Sequence, residues 1–371
     1  MISRSRLQLV LAAIATLTGA AGLAGTAADL GWVFDLLANF RVQYATILAL
    51  CAVGLALLNH KWVAFGCLAL AAANALYAAP YLRAPPQGPG LGQPIGVLAL
   101  NVRYRNTDYE RVRALMREAR PDVAVFVEVT PAWRRELGML ADGWPHSHYE
   151  PEAGGHGVLV LSRVRLLSAG PLELGGDRTT GTRVRIAPFG HPVDLLAVHL
   201  KWPVRPSYMD VRDRELAGLA RLTAQSPLPV IALGDFNATR YSPAFARLLR
   251  DGRLADCAAG RGLAATWPAR WWPAYLAIDH CLHSRGIWVD AFGVGPYVGS
   301  DHYPLLARLR VPDVAGLADA APPPTDYDAG RVGPEAGATE AAEPVPGPPG
   351  VVATPPVSTS RIAASTGMSS G

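Results

Sequence analysis

Three charge-poor apolar runs crowd into the first 82 residues, from about Leu7 to Ala28, Tyr44 to Leu58 and Trp62 to Leu82. Such runs restrict the fold severely, because a backbone meeting lipid must satisfy its own amides, and a helix does so within one segment. The first run is long enough to cross the roughly 30 Å hydrocarbon layer. Arg4 and Arg6 precede it and favour a cytoplasmic N-terminus. A short amphipathic stretch with Asp29, Asp35 and Arg41 separates the first two runs, and Asn59, His60 and Lys61 turn the chain before the third. Trp62 stands at one boundary of the third run and Tyr77 and Tyr81 near the other, where amphipathic aromatic rings favour the lipid headgroups. Three crossings from a cytoplasmic start place everything after Arg83 outside the cytoplasmic membrane. If the first run is instead a signal peptide cut among the small residues Ala24 to Ala28, two helices remain and the rest is exported all the same.

This region accounts for most of the apolar excess of the 371-residue chain, half hydrophobic with a mean hydropathy of +0.17. The formal net charge is +4, lysine occurs only at Lys61 and Lys201, and no dense basic run offers a track for a polynucleotide. Cys51 and Cys67 fall inside apolar runs as small hydrophobes, whereas Cys257 and Cys281 lie in the remainder and can pair in an oxidising compartment; the spacing of the cysteines is not that of a metal site.

Composition divides the chain into an anchor at 1–83, a Pro- and Gly-rich linker at 84–93, a folded domain at 94–311 and a tail at 312–371. The tail is rich in Ala, Pro, Gly, Thr and Ser and is expected to be disordered, since it cannot bury enough apolar surface to offset its ordering entropy. Within the folded domain, strand-like runs recur at 95–101, 123–127, 157–161, 182–186, 193–199, 230–233, 277–283 and 305–309. Helical patterns separate several of them, at 109–118 behind Asp108, at 131–140 behind Thr130 with Pro131 in the first turn, at 207–224 and at 243–250. Strands with interspersed helices predict a layered α/β domain.

The runs end in residues of chemical use. Asn101 closes Leu-Ala-Leu-Asn, Glu128 closes Val-Phe-Val-Glu and His199 closes Leu-Ala-Val-His. The run Val230 to Leu233 passes through Gly234, which lets the backbone turn sharply, into Asp235, Phe236 and Asn237. Asp235 and Asn237 share one side if the extended geometry persists. Asp279 and His280 follow Tyr-Leu-Ala-Ile, and Ser300, Asp301 and His302 precede the last strand. Singly, each residue is explained as a turn, a cap or an internal ion pair. As one ordered set they are much harder to explain as accidents.

On Leu100-Asn101-Val102, Val127-Glu128-Val129, His199-Leu200, Gly234-Asp235-Phe236-Asn237, Ile278-Asp279-His280 and Ser300-Asp301-His302, the chain resembles the endonuclease/exonuclease/phosphatase superfamily over roughly Ile95 to Arg310. The resemblance implies a four-layer α/β sandwich of two mixed β-sheets flanked by helices, here preceded by an N-terminal transmembrane helical anchor. It also implies hydrolysis of a phosphate ester, which needs a cation, an in-line water and donors for the transition state, and for the cation Glu128, Asn101 and Asp301 offer hard oxygen ligands to Mg²⁺, with Mn²⁺ as the alternative. Asp235 is the candidate to orient or deprotonate the attacking water, with Asn237 holding that water or a phosphate oxygen. The resemblance pairs His302 with Asp279, and His199 donates to a phosphoryl oxygen or the leaving group. His280 stands where many members carry a large apolar residue and reads as a neighbour of the site.

The layout of helices before an exported catalytic domain, together with Leu30-Gly31-Trp32 to Tyr44 and His199-Leu200-Lys201-Trp202-Pro203, is similar to a membrane-bound bacterial subgroup that includes the VanJ-type glycopeptide-resistance proteins. That similarity implies a lipid-linked phosphate or pyrophosphate substrate at the bilayer. An extracytoplasmic nuclease resembling deoxyribonuclease I, acting on nucleic acid, is the first alternative and a non-catalytic partner of an envelope complex the second. Trp202, Trp267, Trp271 and Trp272 fall in loops next to catalytic positions, where they either rest at an interface or pack the loops themselves. Alkaline phosphatase fused near Gln93 should be active and a fusion at Asn59 inactive; the reverse pattern would overturn the exported placement.

Overall fold

The structure is a computed structural model that describes residues 3–85, 92–152, 154–175 and 180–312. The expected tail, beyond Pro312, and the middle of the expected linker lie outside the described residues.

The chain begins with a helical bundle. Helix α1 (Arg4–Ala24) continues through a 3-10 turn (Gly25–Leu30), α2 (Trp32–Ala38) is short, and α3 (Arg41–Leu57) returns to α4 (Lys61–Ala75), which runs on through Leu76–Ala78 into α5 (Ala79–Leu82). Arg4–Leu30 and Lys61–Leu82 are each long and apolar enough to cross a membrane, and α2 with α3, bent by 64° at their junction, makes up to a third span. Small side chains, Ala15, Ala52, Ala64 and Ala71 among them, fill the centre with Leu48 and Leu55, while Leu9, Leu17, Leu50, Leu57 and Phe65 point outward. An apolar outside around a small-residue inside suits a helical cluster in lipid.

The folded domain is a sandwich of two six-stranded sheets. The first, ordered β11-β12-β1-β2-β4-β3, takes β1 (Gln93–Asn101), β2 (Val123–Val127), β3 (His146–Pro151), β4 (Gly157–Ser162), β11 (Trp288–Val294) and β12 (Leu305–Val311). The second, ordered β5-β6-β7-β8-β10-β9, takes β5 (Leu166–Pro171), β6 (Gly181–Ile186), β7 (Val193–His199), β8 (Val230–Asp235), β9 (Leu254–Asp256) and β10 (Asp279–Ser284). Each sheet has one parallel pair at its centre, β1 with β2 and β7 with β8, and is otherwise antiparallel. Side chains alternate along the inner strands, so Val97, Val125, Leu195 and Ile231 meet between the sheets. Leu98 and Phe126 face outward to α6 (Tyr109–Ala119) and α7 (Pro131–Gly138). Leu196 and Ala232 face α8 (Pro206–Gln225) and α9 (Pro243–Asp251). The expected four-layer arrangement is thus the one observed.

The strands expected from sequence are all present. The four strands not foreseen, β3, β5, β9 and β11, are the edge strands of the two sheets. Asp108 precedes α6 without a side-chain cap bond and pairs instead with Arg111 at 3.0 Å, whereas the Thr130 hydroxyl accepts from the Trp133 amide and caps α7 as expected. Cys257 and Cys281 are free thiols facing each other in the core, with Sγ atoms 2.7 Å apart.

Gly234 lies inside β8, bridged to Val198 on one side and His280 on the other, with φ +141°. Close approach by β7, rather than a turn out of the sheet, demands glycine here, since a Cβ would meet the Val198 carbonyl oxygen at 2.1 Å. Gly234→Ala should therefore cost more than about 2 kcal/mol, well above an average substitution, read as a lowered midpoint in thermal or denaturant unfolding.

Candidate active site

Strand register assembles the site. His199 lies opposite Asp235 at the ends of β7 and β8, and Asp279 opposite Asp235 at the start of β10. In the other sheet, Asn101 is level with Val127, so Glu128 leaves β2 beside it. The two groups meet across the sandwich through Asn101, whose side-chain amide nitrogen donates to Glu128 Oε1 at 3.0 Å and to Asp235 Oδ2 at 3.1 Å. Its carbonyl oxygen accepts from the Arg103 amide at 2.9 Å, so both ends of the side chain have chemically matched partners.

Asp279 Oδ2 lies 2.8 Å from His302 Nδ1, and the other ring nitrogen, Nε2, lies 3.8 Å from Asp235 Oδ2. The Ser300 hydroxyl donates to the Asn101 carbonyl at 2.7 Å and accepts from the His302 amide, fixing the 300–302 segment over the end of β1. Asn237 donates its amide to Asp235 Oδ1 and its side-chain nitrogen to the Leu200 carbonyl, both at 2.9 Å. Glu128 Oε2 accepts from the Tyr104 amide at 3.0 Å. Asp301 stands at the rim, half exposed, with Arg103 Nε 3.7 Å away. Glu128 and Asn237 both hold left-handed backbone, φ +59° and +48°, a strain that accumulates at functional sites. All eight residues singled out from sequence thus border one region, Asp301 at its edge. His280 lies behind it, bonded to the Ala238 carbonyl and packed edge-on against Phe236 and tilted against Phe245.

Sequence reading missed Glu152. This buried carboxylate follows β3, and its Oε2 lies 2.9 Å from His199 Nδ1 and 3.5 Å from His156 Nδ1. An acid and a histidine flanking Gly154 and Gly155 are the one local signal, and it is a weak one because such a turn is common without a site. The site consequently contains two carboxylate–histidine pairs, Asp279–His302 and Glu152–His199.

Electrostatics follow from burial and pairing. Burial opposes a charged ring at His302, but Asp279, then Asp235 and Asp301, raise its pKa to about 9. His199 is likewise raised to about 9, against burial, by Glu152 first and then by Asp235 and Glu128. Burial, and then the charge of Asp279, push Asp235 up to about 6, against His302 and His199. Burial acts to raise Glu128 as well, but His199, the Tyr104 amide, Asn101 and His302 outweigh it and hold the carboxyl below its ordinary value. Burial drives His280 down to about 4, a neutral ring outside the chemistry.

The donor set can be tested against a cation. Glu128 is held ionised and, with the rim carboxylate Asp301, offers hard oxygens of the kind an ion of the Mg²⁺ type takes, whereas Asn101 turns its side-chain nitrogen to Glu128 and its oxygen to the Arg103 amide. Two tighter groups, Asp235–Asp279–His302 and Glu152–His156–His199, also have ligand-type atoms within 4.8 Å of one another. In the first, Nδ1 of the imidazole is already engaged by Asp279, so the group is better built to move protons than to bind a hard cation.

If Asp235 must be ionised and a histidine protonated, kcat/KM should fall below about pH 6 and again above about pH 9. Asp279→Asn should move the alkaline limb down, because His302 then loses the charge that raises it; an unmoved limb would assign that limb elsewhere. The two histidine pairs also contribute stability that is fully present below about pH 6.5 and is lost as pH rises through about 9.

Residues 98–302 match the model of the Endonuclease/Exonuclease/phosphatase family. Among solved structures, humanized D. rerio TDP2 with 14 mutations aligns at 16% identity and a TM-score of 0.51, covering 59% of this chain and 99% of that one. D. rerio TDP2 complexed with single strand DNA product aligns at 15% identity and a TM-score of 0.50, covering 59% and 100%. An endonuclease/exonuclease/phosphatase from Beutenbergia cavernae aligns at 20% identity and a TM-score of 0.48, covering 59% and 72%. At these identities the likeness is one of fold. No curated protein sequence matches the chain. The family match spans more than half of the chain and takes in the whole run of strand ends from Asn101 to His302, so the chain belongs to the endonuclease/exonuclease/phosphatase family.

Proposed function

We propose that the chain is a membrane-anchored, divalent-cation-dependent phosphohydrolase that acts outside the cytoplasmic membrane on a phosphate or pyrophosphate ester of a lipid. The observation that carries this reading is the joining of the helical bundle to the loops around the site. Trp32 Nε1, at the start of α2, donates to the Pro203 carbonyl at 2.7 Å, just beyond His199. Gln43, in the first turn of α3, donates to the Tyr275 carbonyl at 3.0 Å, in the loop before Asp279. Two exposed tryptophans, Trp202 and Trp271, belong to these same loops. Indole rings beside apolar helices favour the lipid headgroup region. Anchoring there raises the effective concentration of lipid headgroups and does nothing for a soluble polymer.

In the hydrolytic step, Asp235 takes a proton from water as the water oxygen bonds to phosphorus, while Asn237 keeps the carboxylate aimed. The imidazolium of His302, held by Asp279, donates to a phosphoryl oxygen. His199, charged by Glu152, delivers a proton to the departing oxygen as its bond to phosphorus breaks. A divalent cation held by Glu128 with Asn101 and Asp301 would offset the negative charge of the phosphoryl group.

Nuclease action is the second reading, favoured by basic groups near the site. Arg103 stands at the rim, Lys201 and Arg205 cover Tyr208, and Arg270 covers Tyr297. A pyrophosphate headgroup would use the same charges.

Full-length protein in mixed micelles should hydrolyse a polyprenyl pyrophosphate with Mg²⁺ faster than it cuts duplex DNA, and excess EDTA should stop both. Glu128→Gln should remove the cation response with the fold intact, and Asp235→Asn should lower kcat by about 10²–10⁴. Rapid, strongly salt-dependent DNA cleavage without lipid turnover would replace this reading with the nuclease.

A further inference from the structure

The segment that follows the hydrolytic aspartate is fastened to the helical bundle by buried polar groups. Asp35 and Asn39 lie four residues apart on one face around α2. Asp35 Oδ2 accepts from Arg212 Nη2 at 3.0 Å and its Oδ1 from the Ser242 hydroxyl at 2.8 Å; Asp35 is 3% exposed and Arg212 1%. Asn39 Oδ1 accepts from the Thr239 hydroxyl at 2.5 Å, and its amide nitrogen donates to the Asp35 and Leu36 carbonyls, so the side chain presents its oxygen to the loop. The Arg240 guanidinium lies 3.9 Å from the centre of the Tyr81 ring at the end of α5. Thr239, Arg240 and Ser242 are thus each held from the bundle, within seven residues of Asp235.

A charge and two hydroxyls taken out of water at such a place are poor stabilisers compared with apolar packing, but they admit one geometry. The loop they hold has the left-handed Asn237 whose amide aims Asp235, and Ala238, whose carbonyl is bonded to His280. A shift of about 1 Å in such a segment can cost on the order of a hundredfold in rate.

We propose that Asp35 and Asn39 are positioning residues for the hydrolytic centre: by fixing residues 239–242, α2 sets the geometry of Asp235 and Asn237, so the anchor is a structural part of the site as well as a tether. The inference rests on the reading that Asp235 serves hydrolysis. It fixes a role for the bundle that does not depend on which ester is the substrate.

The test uses the full-length protein in detergent, with bis(4-nitrophenyl) phosphate and Mg²⁺ as a small soluble probe, and hydrogen exchange followed by mass spectrometry. Asp35→Asn and Asn39→Ala should each lower kcat by about tenfold or more with KM within about twofold. Amide exchange should accelerate in peptides covering 235–242 and stay unchanged in α7, a localised effect that general destabilisation would not give. Arg247→Ala breaks a half-exposed contact with Asp29 on the same interface that does not touch the loop, and should leave both readouts unchanged. If Asp35→Asn does not fold, Asn39→Ala decides. Wild-type exchange at 235–242 in folded variants, or exchange that rises equally in α7, would overturn the proposal. Exchange needs no turnover, so a wild-type protein inert toward the probe counts against the hydrolase reading and leaves exchange to decide the clamp.

Discussion

The side-chain amide of Asn101 is the interaction on which the site depends. One nitrogen donates to Glu128, from its own sheet, and to Asp235, from the facing sheet. A buried carboxylate and a partly buried one would otherwise repel each other across the sandwich, and each needs a donor to stay ionised. The bridge ties the two sheets together at these strand ends. The two carboxyls nevertheless differ: burial acts to raise both, but His199, the Tyr104 amide, Asn101 and His302 hold Glu128 low, while Asp235 is raised by burial and by Asp279. In the proposed hydrolysis, a cation-holding Glu128 and a proton-accepting Asp235 call for those two different environments.

Around this bridge the two histidines are charged by separate partners. Asp279 comes from the strand next to Asp235, whereas Glu152 comes from the end of an edge strand of the other sheet. Each carboxylate charges the ring it touches, and the second ring nitrogen of His302 lies 3.8 Å from Asp235. The site therefore carries positive charge at two points around the central carboxylate of Asp235; in the proposed hydrolysis the histidines donate to the phosphoryl and departing oxygens while Asp235 takes the proton of the attacking water.

The helical bundle meets this site through polar contacts that an anchor alone does not need. Ordinary tethering requires apolar length, which Arg4–Leu30 and Lys61–Leu82 supply. Asp35 with Arg212 is a buried ion pair, and its desolvation is offset by hydrogen bonds from Ser242 and Arg212 together. Arg41 is likewise inside, donating to the Gly22 carbonyl and to Asn74. The stretch with Asp29, Asp35 and Arg41, amphipathic by sequence, thus turns its charges toward protein.

The sequence alone determined the inner strands and the residues at their ends. Inner strands are covered on both faces, so they read as unbroken apolar runs, and the polar residue that ends each run stands out against it. The edge strands β3, β5 and β11 are half solvated, with mixed composition, and β9 is only three residues long, so no periodicity marks them. Only the tertiary structure decided the partnerships: Glu152 with His199 across 47 positions, Asn101 with Asp235 across 134, and Asp35 with Arg212 across 177. Local sequence encodes burial and turns, which act within a few residues. A charge pair between distant residues exists only once strand register and layer packing bring them within hydrogen-bond reach, and no pattern along the chain carries that distance.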